Sequence, residues 1–219
     1  MFELGEIIQK IAIIAVPLLL AVILHEVAHG WVAEKLGDPT ARLMGRITLN
    51  PIPHIDVWWT ILLPLTLILS GSRFIFGGAK PVRVNPLNFR NPRRDMMWVA
   101  LSGPATNVIL AIVVAIVFHV LRHVAEDVQS RFFITLLMPI LYMLHVAIVI
   151  NVVLAVFNMI PVPPLDGSKV IMGILPYELS ATIARIAPYG IFILLILIFT
   201  GILHRIINPL IGVMLHVLL

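Results

Sequence analysis

The chain has 219 residues, of which 60% are apolar and only 12% are charged, with a net charge of +4. A soluble domain cannot hide so large an apolar share, because more than half of its accessible surface would still face water. The composition therefore excludes a soluble or disordered protein and predicts a single membrane domain over residues 1–219. The scattered cations fit loops beside membrane helices better than a nucleic-acid surface.

The apolar segments predict an all-α, polytopic membrane protein with about four to six membrane helices. The first segment, from about residue 4 to 36, is predicted to be a retained helix and not a signal peptide, because no basic segment precedes it. Further spans are predicted near 96–121, 132–158 and 180–200, and 204–219 is predicted to span or to lie at the interface. The segment 57–69 is short and contains a proline, which predicts a re-entrant segment. Short β-strands are predicted near 41–49 and 73–84.

The loop 72–95 indicates how the chain is oriented in the membrane. It carries six basic residues and one acidic residue. Since basic loops stay on the cytoplasmic side, this loop and the segment 161–167 are predicted to be cytoplasmic, and 122–131 to lie on the opposite side. This orientation requires that 57–69 does not cross the membrane.

The sequence His25-Glu26-Val27-Ala28-His29 is an HExxH motif near the end of the first helix. Histidines at positions i and i+4 lie on one helical face, so both imidazoles can bind one zinc ion. The glutamate lies to the side, where its carboxylate can take a proton from water. Ionisable groups at membrane depth are costly unless they are paired or bind a metal. The motif therefore predicts a zinc site with Glu26 as the general base.

A catalytic zinc site needs a third protein ligand, and the chain has no cysteine to supply it. Asp166 is the best candidate, because it lies in a predicted broken helix at 161–167 that contains three prolines. Broken helices at membrane depth are tolerated where their backbone lines a cavity or a site. The alternative is that this Asp-Gly pair forms an ordinary exposed turn.

Four other polar residues are weaker candidates. Asn107, one helical turn after Gly103, could donate to an oxyanion or to substrate, or could make a helix–helix hydrogen bond. Asn158 could cap freed backbone groups or orient the metal site. His54 and Asp56 could be outer partners of the metal ligands or an inhibitory ligand.

The segments His25 to His29 and Asn158 to Gly167 (NMIPVPPLDG) resemble the two signature motifs of the site-2 protease family, which are intramembrane zinc metalloproteases. The segment Ser102 to Asn107 (SGPATN) is similar to a third, weaker signature of that family. The resemblance implies one zinc ion per chain, held by His25, His29 and Asp166, with Glu26 as the catalytic base.

The resemblance also implies what the protein acts on and where it resides. Its substrates would be transmembrane segments of membrane proteins, cleaved within the lipid bilayer in regulated intramembrane proteolysis. The chain resembles a minimal, prokaryotic form without a PDZ or CBS domain, in the inner membrane, with an active site near the cytoplasmic side. The alternatives are a transporter that uses the broken helix as an ion site, or a non-catalytic protein that binds membrane segments.

Overall fold

The computed structural model describes residues 4–62, 66, 78–127 and 131–219, and in these ranges every regular element is helical. The α-helices in these ranges are α1 (Leu4–Lys35), α2 (Thr40–Leu43), α3 (Pro92–Asp127), α4 (Arg131–Asn158), α5 (Asp166–Ile174), α6 (Tyr177–Ile186), α7 (Gly190–Phe199) and α8 (Ile202–Leu218). Short 3₁₀ turns occur at Ile52–His54, Pro86–Asn88 and Ala187–Tyr189, and a π-helical turn occurs at Val57–Leu62.

Four helical segments are long and apolar enough to cross a membrane: Ile13–Lys35, Pro92–Glu126, Thr135–Asn158 and Tyr177–Phe199. The apolar helix α8 is shorter. Many large apolar side chains on these helices are exposed, among them Ile109, Ile112 and Ile116 on α3, as expected for a surface that faces lipid. The predicted all-α, polytopic membrane fold is therefore confirmed.

Helices α1 and α3 pack antiparallel, and this pairing positions the motif residues. Ala33, near the end of α1, packs against Val99, near the start of α3. The Ala21 carbonyl, three turns earlier in α1, accepts a hydrogen bond from Asn107, farther along α3. The HExxH motif between these points on α1 therefore faces the segment between Val99 and Asn107 on α3.

Helix α4 packs antiparallel to α3 through small and branched side chains. Ala111 and Ala115 of α3 form a buried cluster with Ile148 and Val152 of α4. Alanine lets the two backbones approach closely, which is the usual basis of helix association in lipid.

The predicted helix break lies between the end of α4 at Asn158 and the start of α5 at Asp166. Gly190, the first residue of α7, packs directly against this segment, because a Cβ there would lie 2.2 Å from the Pro163 carbonyl oxygen. The break turns the chain so that Asp166, the first residue of α5, faces α1.

The strand prediction for 41–49 is wrong. This segment starts within α2. After the helix, the N–H of Gly45 donates to the Arg42 carbonyl and the N–H of Arg46 donates to the Ala41 carbonyl, so both bonds stay within the segment. Backbone groups satisfied in this way are not available for a strand ladder.

The second predicted strand, at 73–84, is also not observed where the structure describes it. Residues 78–84 form neither helix nor strand, and residues 73–77 lie outside the described residues. In the described part, the N–H groups of Lys80 and Val82 donate to the His54 carbonyl and the Glu26 carboxylate. Of the segment 57–69, which is predicted to be re-entrant, the structure describes the turn at Val57–Leu62 and residue 66, and the rest lies outside the described residues.

The segment 122–131, predicted to lie opposite the cytoplasmic loops, is helical as far as Asp127, because α3 extends into it, and residues 128–130 lie outside the described residues. An ion pair between Arg122 and Glu126, one turn apart at 3.1 Å, supports this extension.

Candidate metal centre

Three side chains from two distant parts of the chain meet in the interior. His25 and His29 lie on one face of α1, and Asp166 begins α5; all three are at least nine-tenths buried. Their facing atoms form a small triangle. The two Nε2 atoms are 3.0 Å apart, and Oδ2 of Asp166 lies 3.2 Å from Nε2 of His25 and 3.1 Å from Nε2 of His29.

The opposite nitrogens of the two imidazoles determine where the ring protons lie. Nδ1 of His29 lies 2.7 Å from the Val99 carbonyl oxygen, which can only accept, so this nitrogen donates. Nδ1 of His25 lies 2.6 Å from Oδ1 of Asn107. The Asn107 amide nitrogen donates to the Ala21 carbonyl and to Asn151, so its oxygen is the atom that faces His25 and accepts. In neutral rings both Nε2 atoms therefore carry lone pairs.

Two imidazole lone pairs and a carboxylate oxygen thus face one another in a buried space. Three acceptors in this arrangement repel unless a cation lies among them. Tetrahedral zinc with bonds of about 2.0–2.1 Å places its ligand atoms about 3.3–3.4 Å apart, close to the observed triangle. Among the residues that the structure describes, this is the one group of three or more His, Asp or Glu side chains suited to a metal ion. The residues present therefore fit zinc.

Gly103 makes room for the two imidazoles on the α3 side. A Cβ at this position would lie 2.5 Å from Nε2 of both His25 and His29. The next residue, Pro104, lies inside α3 and has no N–H to donate to the preceding turn. Gly103 therefore lets the backbone of α3 approach the metal centre more closely than a residue with a side chain would.

Glu26 lies beside the triangle and is half-buried. Its Oε2 atom accepts a hydrogen bond of 2.8 Å from the backbone N–H of Val82. We call the segment 80–84 the strap. Val82 therefore fixes one oxygen of the carboxylate.

The metal centre opens into a cleft of about 330 Å³. Three groups of residues line it together with the three candidate ligands and Glu26. They are the strap residues Pro81, Val82 and Val84, the α3 residues Met96, Val99 and Ala100, and the residues Asn158, Pro164, Leu165 and Lys169 around the helix break. The buried ligands, the strap and the helix break therefore share one cleft.

Asp38, directly after α1, anchors the chain that follows the strap. Its fully buried carboxylate accepts hydrogen bonds from the backbone and hydroxyl of Thr40, from the Asn85 backbone at 2.7 Å and from the Asn88 amide at 2.6 Å. Burial raises the pKa of Asp38, but these hydrogen bonds lower it by more, so the pKa lies below its usual value.

The weaker candidates take different positions. Asn107 is fully buried, and both of its N–H groups are used within the protein, so its contact with the site is with His25 and not with a ligand in the cleft. Asn158 lines the cleft and donates to the Leu154 carbonyl, in the last turn of α4.

His54 is buried and contacts the Thr48 carbonyl, and its backbone carbonyl accepts from Lys80. Asp56 accepts from the Trp58 N–H.

Three contacts of the site were missed from the sequence. They are the Val99 carbonyl on His29, the Val82 N–H on Glu26, and Lys169, whose Nζ lies 3.2 Å from Oδ1 of Asp166. The first two contacts use backbone groups, which every residue type can supply, so the sequence does not reveal them. Lys169 could have been found, because it follows Asp166 by three positions, which is one helical turn.

Comparison with known proteins places the chain in a family. The model of peptidase family M50 matches residues 13–199. The curated protein "Putative zinc metalloprotease YwhC" of Bacillus subtilis is 36% identical over 187 residues, which cover 85% of this chain and 80% of that protein. "Putative zinc metalloprotease Rip2" of Mycolicibacterium smegmatis is 27% identical over 187 residues, covering 85% of this chain and 66% of that protein.

A third relative, "Putative zinc metalloprotease MJ0611" of Methanocaldococcus jannaschii, is 30% identical over 151 residues, covering 68% of this chain and 63% of that protein. No solved structure gives a significant match. The matched region includes the HExxH motif, the helix break and Asp166. The chain belongs to peptidase family M50, the site-2 protease family, and is a membrane-embedded zinc metallopeptidase.

Proposed function

We propose that this protein is an intramembrane zinc endopeptidase that cleaves transmembrane segments of membrane proteins, as in regulated intramembrane proteolysis. The observation that carries the proposal is the buried triangle formed by Nε2 of His25, Nε2 of His29 and Oδ2 of Asp166, in which the two histidines lie inside a helix that can span a membrane. The half-buried carboxylate of Glu26 beside this triangle supplies the base.

The roles of the residues follow from this geometry. His25, His29 and Asp166 would hold the zinc ion, which when bound acidifies water and polarises a peptide carbonyl. Glu26 accepts the proton of the attacking water at Oε1, since Oε2 is bound by Val82. The water oxygen bonds to the carbonyl carbon, the C–N bond breaks, and Glu26 gives the proton to the leaving amine.

The depth of the site supports cleavage within the membrane. His29 lies six residues before the end of the span at Lys35, or about 9 Å at 1.5 Å per residue. The site is therefore inside the apolar span but closer to its C-terminal end. A substrate helix must unwind locally to present its scissile carbonyl, because a helical peptide keeps its carbonyl groups in intrahelical hydrogen bonds.

The distribution of charge supports a cytoplasmic location for this end of the protein. The same end carries Arg42, Arg46, Lys80, Arg83, Arg90, Arg93 and Arg94 around the start of α3. By the positive-inside rule, the active site opens toward the cytoplasmic face of a prokaryotic inner membrane. This orientation gives water a route to Glu26 through the cleft.

The proposal can be tested with purified protein in liposomes that also contain single-span membrane proteins. We expect cleavage fragments whose new termini, mapped by mass spectrometry, lie within the apolar segment of the substrate. A zinc chelator should stop the cleavage, and added Zn²⁺ should restore it. Cleavage confined to segments outside the bilayer, or cleavage unaffected by the chelator, would contradict the proposal.

A further inference from the structure

Each candidate zinc ligand has a second hydrogen-bond partner that determines its orientation. For His25 this partner is Asn107, and for His29 it is the Val99 carbonyl. Asp166 presents Oδ2 to the two imidazoles, and its other oxygen, Oδ1, lies 3.2 Å from the ammonium of Lys169. The sequence motifs account for all three ligands but assign nothing to Lys169.

We infer that Lys169 is the positioning residue that makes Asp166 a one-oxygen zinc ligand and thereby keeps a coordination position open for water. The inference rests on the proposed function. A carboxylate can bind a metal through one oxygen or through both, and a catalytic zinc site with three protein ligands needs its fourth position for water. An ammonium on Oδ1 holds that oxygen away from the metal and leaves Oδ2 as the ligand.

The helix that carries both residues is fixed at both ends. At its start, a Cβ on Gly167 would lie 2.2 Å from the Met159 carbonyl oxygen, so α5 packs directly on the helix break. At its end, Arg93 of α3 donates to the Met172 carbonyl at 2.7 Å, and a Cβ on Gly173 would lie 2.4 Å from Met97. Because α5 is held in this way, Lys169 remains one turn from Asp166 and on the same face.

Charge and exposure distinguish this contact from a surface ion pair. The Lys169 side chain is 43% exposed, whereas that of Asp166 is 9% exposed. Among the described residues that line the cleft, Lys169 alone carries a fixed positive charge. An ion pair with a buried partner is screened less by salt than a surface pair, and outer partners of metal ligands typically change metal affinity 10- to 100-fold.

The test compares wild type with Lys169→Met and Lys169→Arg. Methionine has a similar length without the charge, and arginine can still donate to Oδ1. Lys35→Met is the matched control, since it removes the same charge from an exposed site at the end of α1. Zinc affinity is measured by competition with a chelator in detergent, and folding by circular dichroism.

We expect Lys169→Met to bind Zn²⁺ about 10- to 100-fold more weakly than wild type. Lys169→Arg should stay within a few-fold of wild type, and Lys35→Met should be unchanged. Co²⁺ in place of zinc adds a spectroscopic readout, because its visible bands weaken as coordination rises from four to five. These bands should weaken in Lys169→Met, where Asp166 can bind through both oxygens, and should recover in Lys169→Arg.

Two results would overturn the inference. One is wild-type zinc affinity together with an unchanged Co²⁺ spectrum in folded Lys169→Met. The other is a higher KM for substrate with unchanged metal binding, which would make Lys169 a substrate contact. Failure of the proposed function would look different, because wild type itself would then bind no zinc or cleave no membrane protein.

Discussion

Gly103→Ala introduces one methyl group at the point where α3 meets the metal centre. The new Cβ would lie 2.5 Å from Nε2 of both His25 and His29, whereas ordinary contact begins at 3.4 Å. Each imidazole must therefore shift by about 0.9 Å, which is more than four times the tolerance of about 0.2 Å for metal–ligand distances. Overpacking of this kind costs about 1–3 kcal/mol, equivalent to about 5- to 140-fold in zinc affinity.

The assay is chelator competition for zinc on purified Gly103→Ala, with thermal unfolding measured in parallel. Gly212→Ala is a matched control, because Gly212 lies in α8 and a Cβ there would meet nothing within 4 Å. The control should keep wild-type zinc affinity and should be as stable as wild type or slightly more so. Wild-type zinc affinity in Gly103→Ala would refute the packing argument, since the imidazoles would then tolerate a methyl group between them.

Three further predictions concern the third ligand, the anchor after α1 and the orientation. Asp166→Ala should reduce zinc from one ion per chain to near zero by metal analysis, and full occupancy would exclude Asp166 as a ligand. Asp38→Asn should lower the thermal midpoint at pH 7, because the loss of a buried charged acceptor costs about 1–3 kcal/mol of the free energy of unfolding. Since the folded pKa of Asp38 lies below its unfolded value, this stabilisation is present above about pH 4 and is lost as pH falls through the folded pKa, so the difference in midpoint should disappear in acid. Single cysteines in this cysteine-free chain should react with an impermeant reagent from one side at 72–95 and 161–167 and from the other at 122–131; labelling of all three from one side would contradict the orientation.

The three candidate zinc ligands could be proposed from the sequence, two of them because their constraint is local in sequence. The spacing of His25 and His29 places them on one face of any helix, and an acid in a proline-rich break, such as Asp166, can reach them only if the break is internal. The structure brings these three residues together, as a shared metal site requires. What the spacing could not provide is the order of α1, α3 and α5 in space.

The strand predictions failed in segments whose backbone N–H groups donate to side chains or close short turns. The segment 41–49 has the apolar and β-branched residues of a strand, but its N–H groups close turns within α2 and just after it. The strap forms no strand, and its described hydrogen bonds go to Glu26 and to the His54 carbonyl instead of to a ladder. Asn107 illustrates the same limit, since an amide in an apolar helix does not reveal whether its partner is a substrate or a histidine.

The central claim is that Glu26 is the base of a zinc-dependent cleavage, and the most direct measurement is the activity and metal content of Glu26→Gln. Glutamine keeps the size of the side chain and can still accept from Val82, and it leaves His25, His29 and Asp166 untouched. The variant should remain folded with one zinc per chain, but its cleavage of a single-span substrate in liposomes should fall by about 10²- to 10⁴-fold. Undiminished cleavage by zinc-loaded Glu26→Gln would show that another group takes the proton and would contradict the mechanism.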